Sequence, residues 1–179
     1  MENKVIPPLD MQKTVETITE FIKNKLEGSR SNGLVIGLSG GIDSSLVAYL
    51  CARAIGNNNI LGLVLPSKTT SNEDIEDAVE VAKELGIKYK IIHIDDLIKP
   101  FPELCNECSK SNLASGNLKA RIRMMILYYH SNAMQRIVAG TGNRTELLVG
   151  YFTKYGDGGV DILPIGDLYK TEVREIADF

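Results

Sequence analysis

The sequence predicts an α/β fold, a doubly wound parallel sheet with helices on both faces. Three observations predict it. Short apolar runs alternate along the chain with stretches whose apolar residues recur at helical spacing. Glycine and proline punctuate the changeovers. The chain has 179 residues, enough for one well-cored domain and too few for two large ones. Alternation of this kind implies parallel strands joined by right-handed crossovers.

The first helical stripe runs from Met11 to Leu26, with Val15, Ile18, Ile22 and Leu26 on one face, and stops at Gly28. Leu34 to Leu38 reads as a buried strand, followed by a glycine turn and a helix from about Ser44 to Ile55. Ile60 to Leu65 is a second apolar run, closed by Pro66. Ser71 with Asp74 three residues on resembles a capping box, and Ile75, Ala78, Val79, Ala82 and Leu85 make a helical face behind it, ended by Gly86. Tyr89 to Ile94 reads as a third strand containing His93 as a structural residue. From Asp95 to Gly116 periodicity lapses, which predicts a long, mobile or lid-like loop. Leu118, Ile122, Met125 and Tyr129 mark another helix, and Arg136 to Gly140 a short fourth strand.

In the common strand order 3-2-1-4-5, strands 1 and 4 lie side by side where the winding reverses, and ligands bind there beyond the carboxyl ends. The loop after strand 1 contains Ser39 to Ser44 and the loop after strand 4 contains Thr141 to Glu146. Topology alone therefore predicts that these two polar segments face each other.

Composition narrows the classes. A hydrophobic content of 44% and charged content of 24% are those of an ordinary soluble globular protein. The net charge of −3 argues against a general nucleic-acid binder, because neutralising phosphates needs a basic surface. No apolar run approaches the ~18 residues of a membrane span, and the N-terminus lacks a signal-type core, so a cytoplasmic location is expected. The three cysteines are then expected to stay reduced. Cys105 and Cys108 form one Cys-x-x-Cys, open to reading as half a zinc site or a redox pair, and best read as an incidental loop pair. Cys51 reads as a core residue on the helix after strand 1.

The chemistry concentrates at Ser39-Gly40-Gly41-Ile42-Asp43-Ser44. Glycines at 40 and 41 let the backbone turn sharply and present its N–H groups to an anion. The next helix aims its positive end at the same place, and Ser39, Ser44 and Ser45 add hydroxyls. Asp43 beside phosphates is repulsive unless a cation lies between, and magnesium held by one or two carboxylates plus phosphate oxygens resolves the conflict. A tight turn capped by Asp43 or Ser44 is the plainer alternative. The absence of a Gly-Lys-Ser/Thr ending separates this loop from a Walker A motif.

Ser-Gly-Gly-Ile-Asp-Ser resembles the pyrophosphate loop of ATP-pyrophosphatases, which cleave ATP between its α- and β-phosphates. Gly140 to Glu146, Gly150 to Gly158 (with Phe152-Thr153-Lys154-Tyr155-Gly156-Asp157-Gly158), Asp161 to Ile165 and Leu168-Tyr169-Lys170 narrow the likeness to the NAD synthetases. Asn117 to Met124 and Leu65-Pro66-Ser67 belong to the same likeness, which runs from about Val5 to the end. It implies a Rossmann-like fold of the adenine nucleotide alpha hydrolase type. It also implies that ATP is bound by Gly37, Leu38, Ser39, Gly40, Gly41, Ile42, Asp43 and Ser44 with Thr141 and Lys170. By the same resemblance Asp43 and Glu146 are catalytic and hold Mg2+, while Arg121, Lys154 and Asp161 contact deamido-NAD. Electrostatically this is coherent, since both substrates are anionic and Arg121, Lys154 and Lys170 supply local cations.

Each assignment has a plainer rival. Arg121 and Arg123 can form a solvated helix face; Lys154 can be merely exposed; Asp161 can be a turn residue; Glu146 can cap the helix that begins near it; Lys170 can lie on a solvated helix start. The resemblance further implies a homodimer and ammonia as nitrogen donor, the residues before Leu34 being too few for an amidase domain. Family members usually continue past a point equivalent to Phe179, so a missing C-terminal part is expected.

Overall fold

A computed structural model describes residues 9–105 and 107–179; Val5 to Pro8, where the family likeness begins, and Asn106, inside the expected loop, lie outside it. The elements are α1 (Met11–Ser29), β1 (Leu34–Leu38), α2 (Ile42–Ile55), β2 (Ile60–Val64), α3 (Asn72–Glu84), β3 (Lys88–Ile91), α4 (Asp95–Ile98), α5 (Phe101–Leu104), α6 (Asn112–Ala133), β4 (Ile137–Ala139), α7 (Arg144–Val149) and α8 (Lys170–Asp178).

The sheet has the order β3-β2-β1-β4 with every described pairing parallel. Outside β4, Ile162 makes a parallel bridge to Ala139, so the chain occupies the fifth position at a single residue pair. The pleat of β1 divides the core in two, because successive side chains point to opposite faces. Leu34, Ile36 and Leu38 join α1, α2, α3 and α8 on one face, through Ile22, Val47, Ala78 and Val173. Val35 joins Leu61, Leu63, Ile94 and Ile122 on the face covered by α6. Helices therefore cover both faces.

Four expectations need correction. The segment from Asp95 to Gly116 is not one long loop: it holds α4, α5 and a 3-10 turn at Cys108–Lys110, and α6 starts at Asn112. Four-residue helices are too short to show a period, and the Ser111 N-cap, whose hydroxyl accepts from the Ala114 N–H at 3.2 Å, reads in sequence as loop chemistry. The third strand ends at Ile91; Ile92 and Ile94 still donate N–H bonds to Val64 and Pro66, but His93 lies beyond the ladder and is exposed. Cys105 and Cys108 are joined in a disulfide rather than reduced, since their placement on one tight turn brings the sulfurs together. Finally, α1 passes through Gly28 and stops at Arg30 in the left-handed conformation, whose N–H reaches the Glu27 carbonyl. Cys51 is fully buried, and burial pushes its thiol pKa up.

Candidate active site

The two polar segments do meet at the carboxyl ends of β1 and β4. After Leu38 the chain turns at Gly40, whose φ of +81° is left-handed and whose missing Cβ would otherwise lie 2.4 Å from the Asp74 carbonyl oxygen. Gly41 needs no such freedom; it is the N-cap of α2 at φ −82°. Ser44 is buried and braces the turn, its hydroxyl donating to the Gly41 carbonyl at 2.9 Å and lying 3.0 Å from the Ser39 hydroxyl. The first N–H groups of α2 have no acceptor within the helix and point out of the turn with the positive end of its dipole.

Two cavities open here and share Ser39, Thr141 and Asp157. The larger, about 420 Å³, runs along Gly37, Leu38, Leu63 to Pro66 and Gly140 under Arg123 and Met124. Its walls are mostly apolar, suited to a flat base. The smaller, about 190 Å³, is lined by Ser39, Asp43, Ser44, Thr141, Glu146 and Asp157, a polar, carboxylate-rich set that suits phosphates only with a cation between. Gly140 lets the chain lie close against Val160 on the wall of the larger cavity, since a Cβ there would lie 2.6 Å from the Val160 side chain.

Asp43, in the first turn of α2, has both oxygens engaged. Oδ2 pairs with the ammonium of Lys170 from the start of α8, and Oδ1 accepts from Asn143 Nδ2 at 3.1 Å. Lys170 is therefore not on a solvated helix face; its backbone N–H is also held, at 3.0 Å, by the Thr145 hydroxyl. Glu146 caps α7 reciprocally with Asn143, its Oε2 accepting the Asn143 N–H at 3.1 Å while Asn143 Oδ1 accepts the Glu146 N–H at 3.0 Å. The capping reading of Glu146 holds, and the same residue lines the cavity with Asp43. Two carboxylates with serine and threonine hydroxyls form a hard-oxygen donor set of the kind magnesium takes, with room left for phosphate oxygens. These residues fit that ion.

Arg121, Lys154 and Asp161 lie outside both cavities, strung along one face of α6. Arg121 donates from Nε to the Lys154 carbonyl at 3.3 Å. Seven residues on, about two turns further, Tyr128 donates to Asp161 Oδ1 at 3.0 Å, while Asp161 Oδ2 accepts the Val138 N–H at 2.7 Å. Asp161 is thus more than a turn residue: it ties the 153–161 segment to β4. Arg123 corrects the solvated-face reading. Its Nε donates to the Leu65 carbonyl at 2.9 Å, it lines the larger cavity, and burial lowers its pKa against the opposing pull of Asp95.

Asn143 and Asp157 were read in the sequence only as members of family motifs, with no role of their own. Asn143 had a signal, the Asn-x-x-Glu pattern of a capping box. Asp157 had its place in the Phe152 to Gly158 motif, but nothing local shows that it reaches both cavities.

Comparison with known proteins matches this arrangement to one family. The family model described as NAD synthase matches residues 14–179. The NH(3)-dependent NAD(+) synthetase of Archaeoglobus fulgidus is 54% identical over 172 residues, covering 96% of this chain and 69% of that protein. That of Methanococcoides burtonii is 51% identical over 170 residues, 94% of this chain and 65% of that protein. The structure of the NH3-dependent NAD synthetase from Campylobacter jejuni superposes with a TM-score of 0.91 at 41% identity, over 96% of this chain and 73% of that one. This chain spans about two thirds of the length of such curated relatives. The matched stretch spans the Ser39 to Ser44 turn, the facing capped helix and the Phe152 to Gly158 segment, and the chain belongs to the NAD synthase family.

Proposed function

We propose that the chain amidates deamido-NAD with ammonia at the expense of ATP, giving NAD, AMP and pyrophosphate through an adenylated intermediate. The observation that carries the reading is the meeting of the Ser39 to Ser44 turn with Thr141 and Glu146 around one polar cavity, which shares Ser39, Thr141 and Asp157 with an apolar one, while Lys170 pairs with Asp43. Curated relatives sharing about half its residues bear the name NH(3)-dependent NAD(+) synthetase, which supports both the reaction and ammonia as donor.

In this reading the larger cavity takes the adenosine of ATP, and Gly37 to Ser44 with Thr141 and Lys170 take its phosphates. A carboxylate oxygen of the nicotinate ring attacks the α-phosphorus, the α–β bridging bond breaks, and pyrophosphate leaves toward the α2 N-terminus. Ammonia then adds to the acyl carbon of the mixed anhydride, AMP departs with the bonding pair, and a proton is lost from nitrogen to give the amide. Magnesium held by Asp43 and Glu146 supplies charge neutralisation for the leaving pyrophosphate. The turn N–H groups and Lys170 add fixed donors for the same charge. Lys170 then exchanges Asp43 for phosphate, keeping its charge paired throughout. Arg121, Lys154 and Asp161 hold deamido-NAD along the α6 face, an elongated row suited to an elongated ligand. No protein nucleophile is needed; positioning and electrostatics do the work.

A homodimer and a cytoplasmic location, where ATP is abundant, complete the reading. Exposed Met125, Tyr129, Leu148, Val149, Tyr151 and Tyr155 supply apolar surface for such an interface. Among the described residues no helix is long and apolar enough to cross a membrane.

The test incubates the chain with ATP, magnesium, ammonium and deamido-NAD and quantifies products. Equal yields of AMP, pyrophosphate and NAD are expected. Release of ADP, turnover with xanthosine monophosphate alone, or ATP binding without turnover would each overturn the proposal.

A further inference from the structure

We infer that Asn143 is a positioning residue that sets Asp43 and Glu146 toward the same cavity; the inference rests on the reading of that cavity as an ATP and magnesium site. Asn143 is 0% exposed, and every polar group it brings is committed. Its Nδ2 donates to Asp43 Oδ1, its Oδ1 accepts from the Glu146 N–H, and its own N–H donates to Glu146 Oε2. The amide orientation follows from chemistry, because a carboxylate only accepts and a backbone N–H only donates. A flipped amide would oppose oxygen to carboxylate and NH2 to N–H.

Asp43 sits on α2 and Glu146 on α7, one hundred residues apart along the chain. Asn143 is bonded to both. A short side chain with two rotatable bonds, buried and bonded at both ends, leaves little freedom for the pair to drift. Capping α7 requires only an acceptor, which serine or aspartate also provides. The donor toward Asp43 is the part that capping does not explain, and it assigns the residue a role beyond helix termination.

The experiment compares Asn143→Ser and Asn143→Asp, each alone and combined with Asp43→Asn. Both replacements keep a capping oxygen; serine is too short to reach Asp43, and aspartate places a second carboxylate against it. Calorimetry reads binding of α,β-methylene-ATP with and without magnesium, and thermal melting reports folding. With magnesium, Asn143→Ser is expected to weaken binding about tenfold, as for loss of a charge-assisted hydrogen bond, and Asn143→Asp more. Without magnesium Asn143→Ser stays within about twofold of the parent, and Asn143→Asp, which adds a charge, loses less than it does with magnesium, since a positioning role acts through the carboxylates that hold the ion. In the Asp43→Asn background the magnesium-dependent loss disappears. An equal loss in both backgrounds, an equal loss with and without magnesium, or no loss would overturn the inference. If the serine variant melts early, the nearly isosteric aspartate variant carries the same comparison. Turnover of deamido-NAD is not read, so failure of the amidation assay and failure here are distinguishable.

Discussion

The ammonium of Lys170, at the first residue of α8, is paired with the Asp43 carboxylate in the first turn of α2, across 127 residues of sequence. The cation balances the charge of a carboxylate that lines the smaller cavity. Asp43 brings a negative charge to that cavity wall, and Lys170 compensates it. Asp43→Asn should therefore lower magnesium-dependent AMP formation by about 100- to 1000-fold, in the range for loss of one electrostatic contact to a transition state, with unfolding midpoint nearly unchanged. Lys170→Met should weaken ATP binding, and more so at low salt. An Asp43→Asn chain with parental turnover would remove Asp43 from the mechanism.

The two glycines of the turn should differ in their tolerance of a side chain. At Gly40 the backbone is left-handed and a Cβ meets the Asp74 carbonyl oxygen, so Gly40→Ala should cost about 1–3 kcal/mol. That is a fall of several degrees in melting temperature for a domain of this size. At Gly41 the backbone is ordinary and the nearest atom is Ser39 Oγ at 3.4 Å, so Gly41→Ala should lower the melting temperature much less. Equal destabilisation by the two would contradict the geometry of the turn.

Lys154 stands outside both cavities beside Arg121, so its charge should matter for the dinucleotide and not for ATP. Lys154→Met is expected to raise the KM for deamido-NAD about tenfold while leaving kcat and the KM for ATP near parental values, the pattern of lost uniform binding. Steady-state kinetics with each substrate varied in turn separates this from a general loss; a raised KM for ATP of the same size would sink the assignment.

Tyr128 links pH to stability through Asp161. Its phenol is pushed from 10.0 up to about 12, first by burial and then by its hydrogen bond to Asp161. Because the folded value lies above the unfolded one, the contribution is intact below the unfolded value and is lost as pH rises through the folded one. Between those limits the unfolded chain has released a proton that the folded chain retains, so stability falls with pH. Tyr49, raised to about 12 chiefly by the neighbouring Glu84 carboxylate, contributes in the same direction. Tyr128→Phe should therefore show a smaller shift in urea midpoint between pH ~9 and ~11 than the parent; an unchanged shift would exclude Tyr128 as a source.

Much of the site could be read before any coordinates. Leu34 to Leu38 and Ile60 to Val64 are uninterrupted apolar runs because both faces of a parallel strand are buried, and such runs stand out. The meeting of the Ser39 to Ser44 turn with Thr141 to Glu146 follows from strand order, a rule of topology rather than of local sequence. Arg123 stayed open in the sequence because a guanidinium on a helix looks the same whether it faces water or a carbonyl such as that of Leu65. The segment after Asp95 was misread because its helices make too few turns to repeat.

By itself the sequence determined the elements whose pattern is local and periodic, the tight glycine turn between β1 and α2, and the family whose motifs it carries. Tertiary structure decided which charges neutralise one another: Lys170 on Asp43, Asn143 between Asp43 and Glu146, Tyr128 on Asp161. The reason is physical. Periodicity and turn preference act between residues a few positions apart, so they leave a trace in the order of the letters. A hydrogen bond between residues one hundred positions apart depends on how helices and strands pack, and the letters near either partner do not encode it.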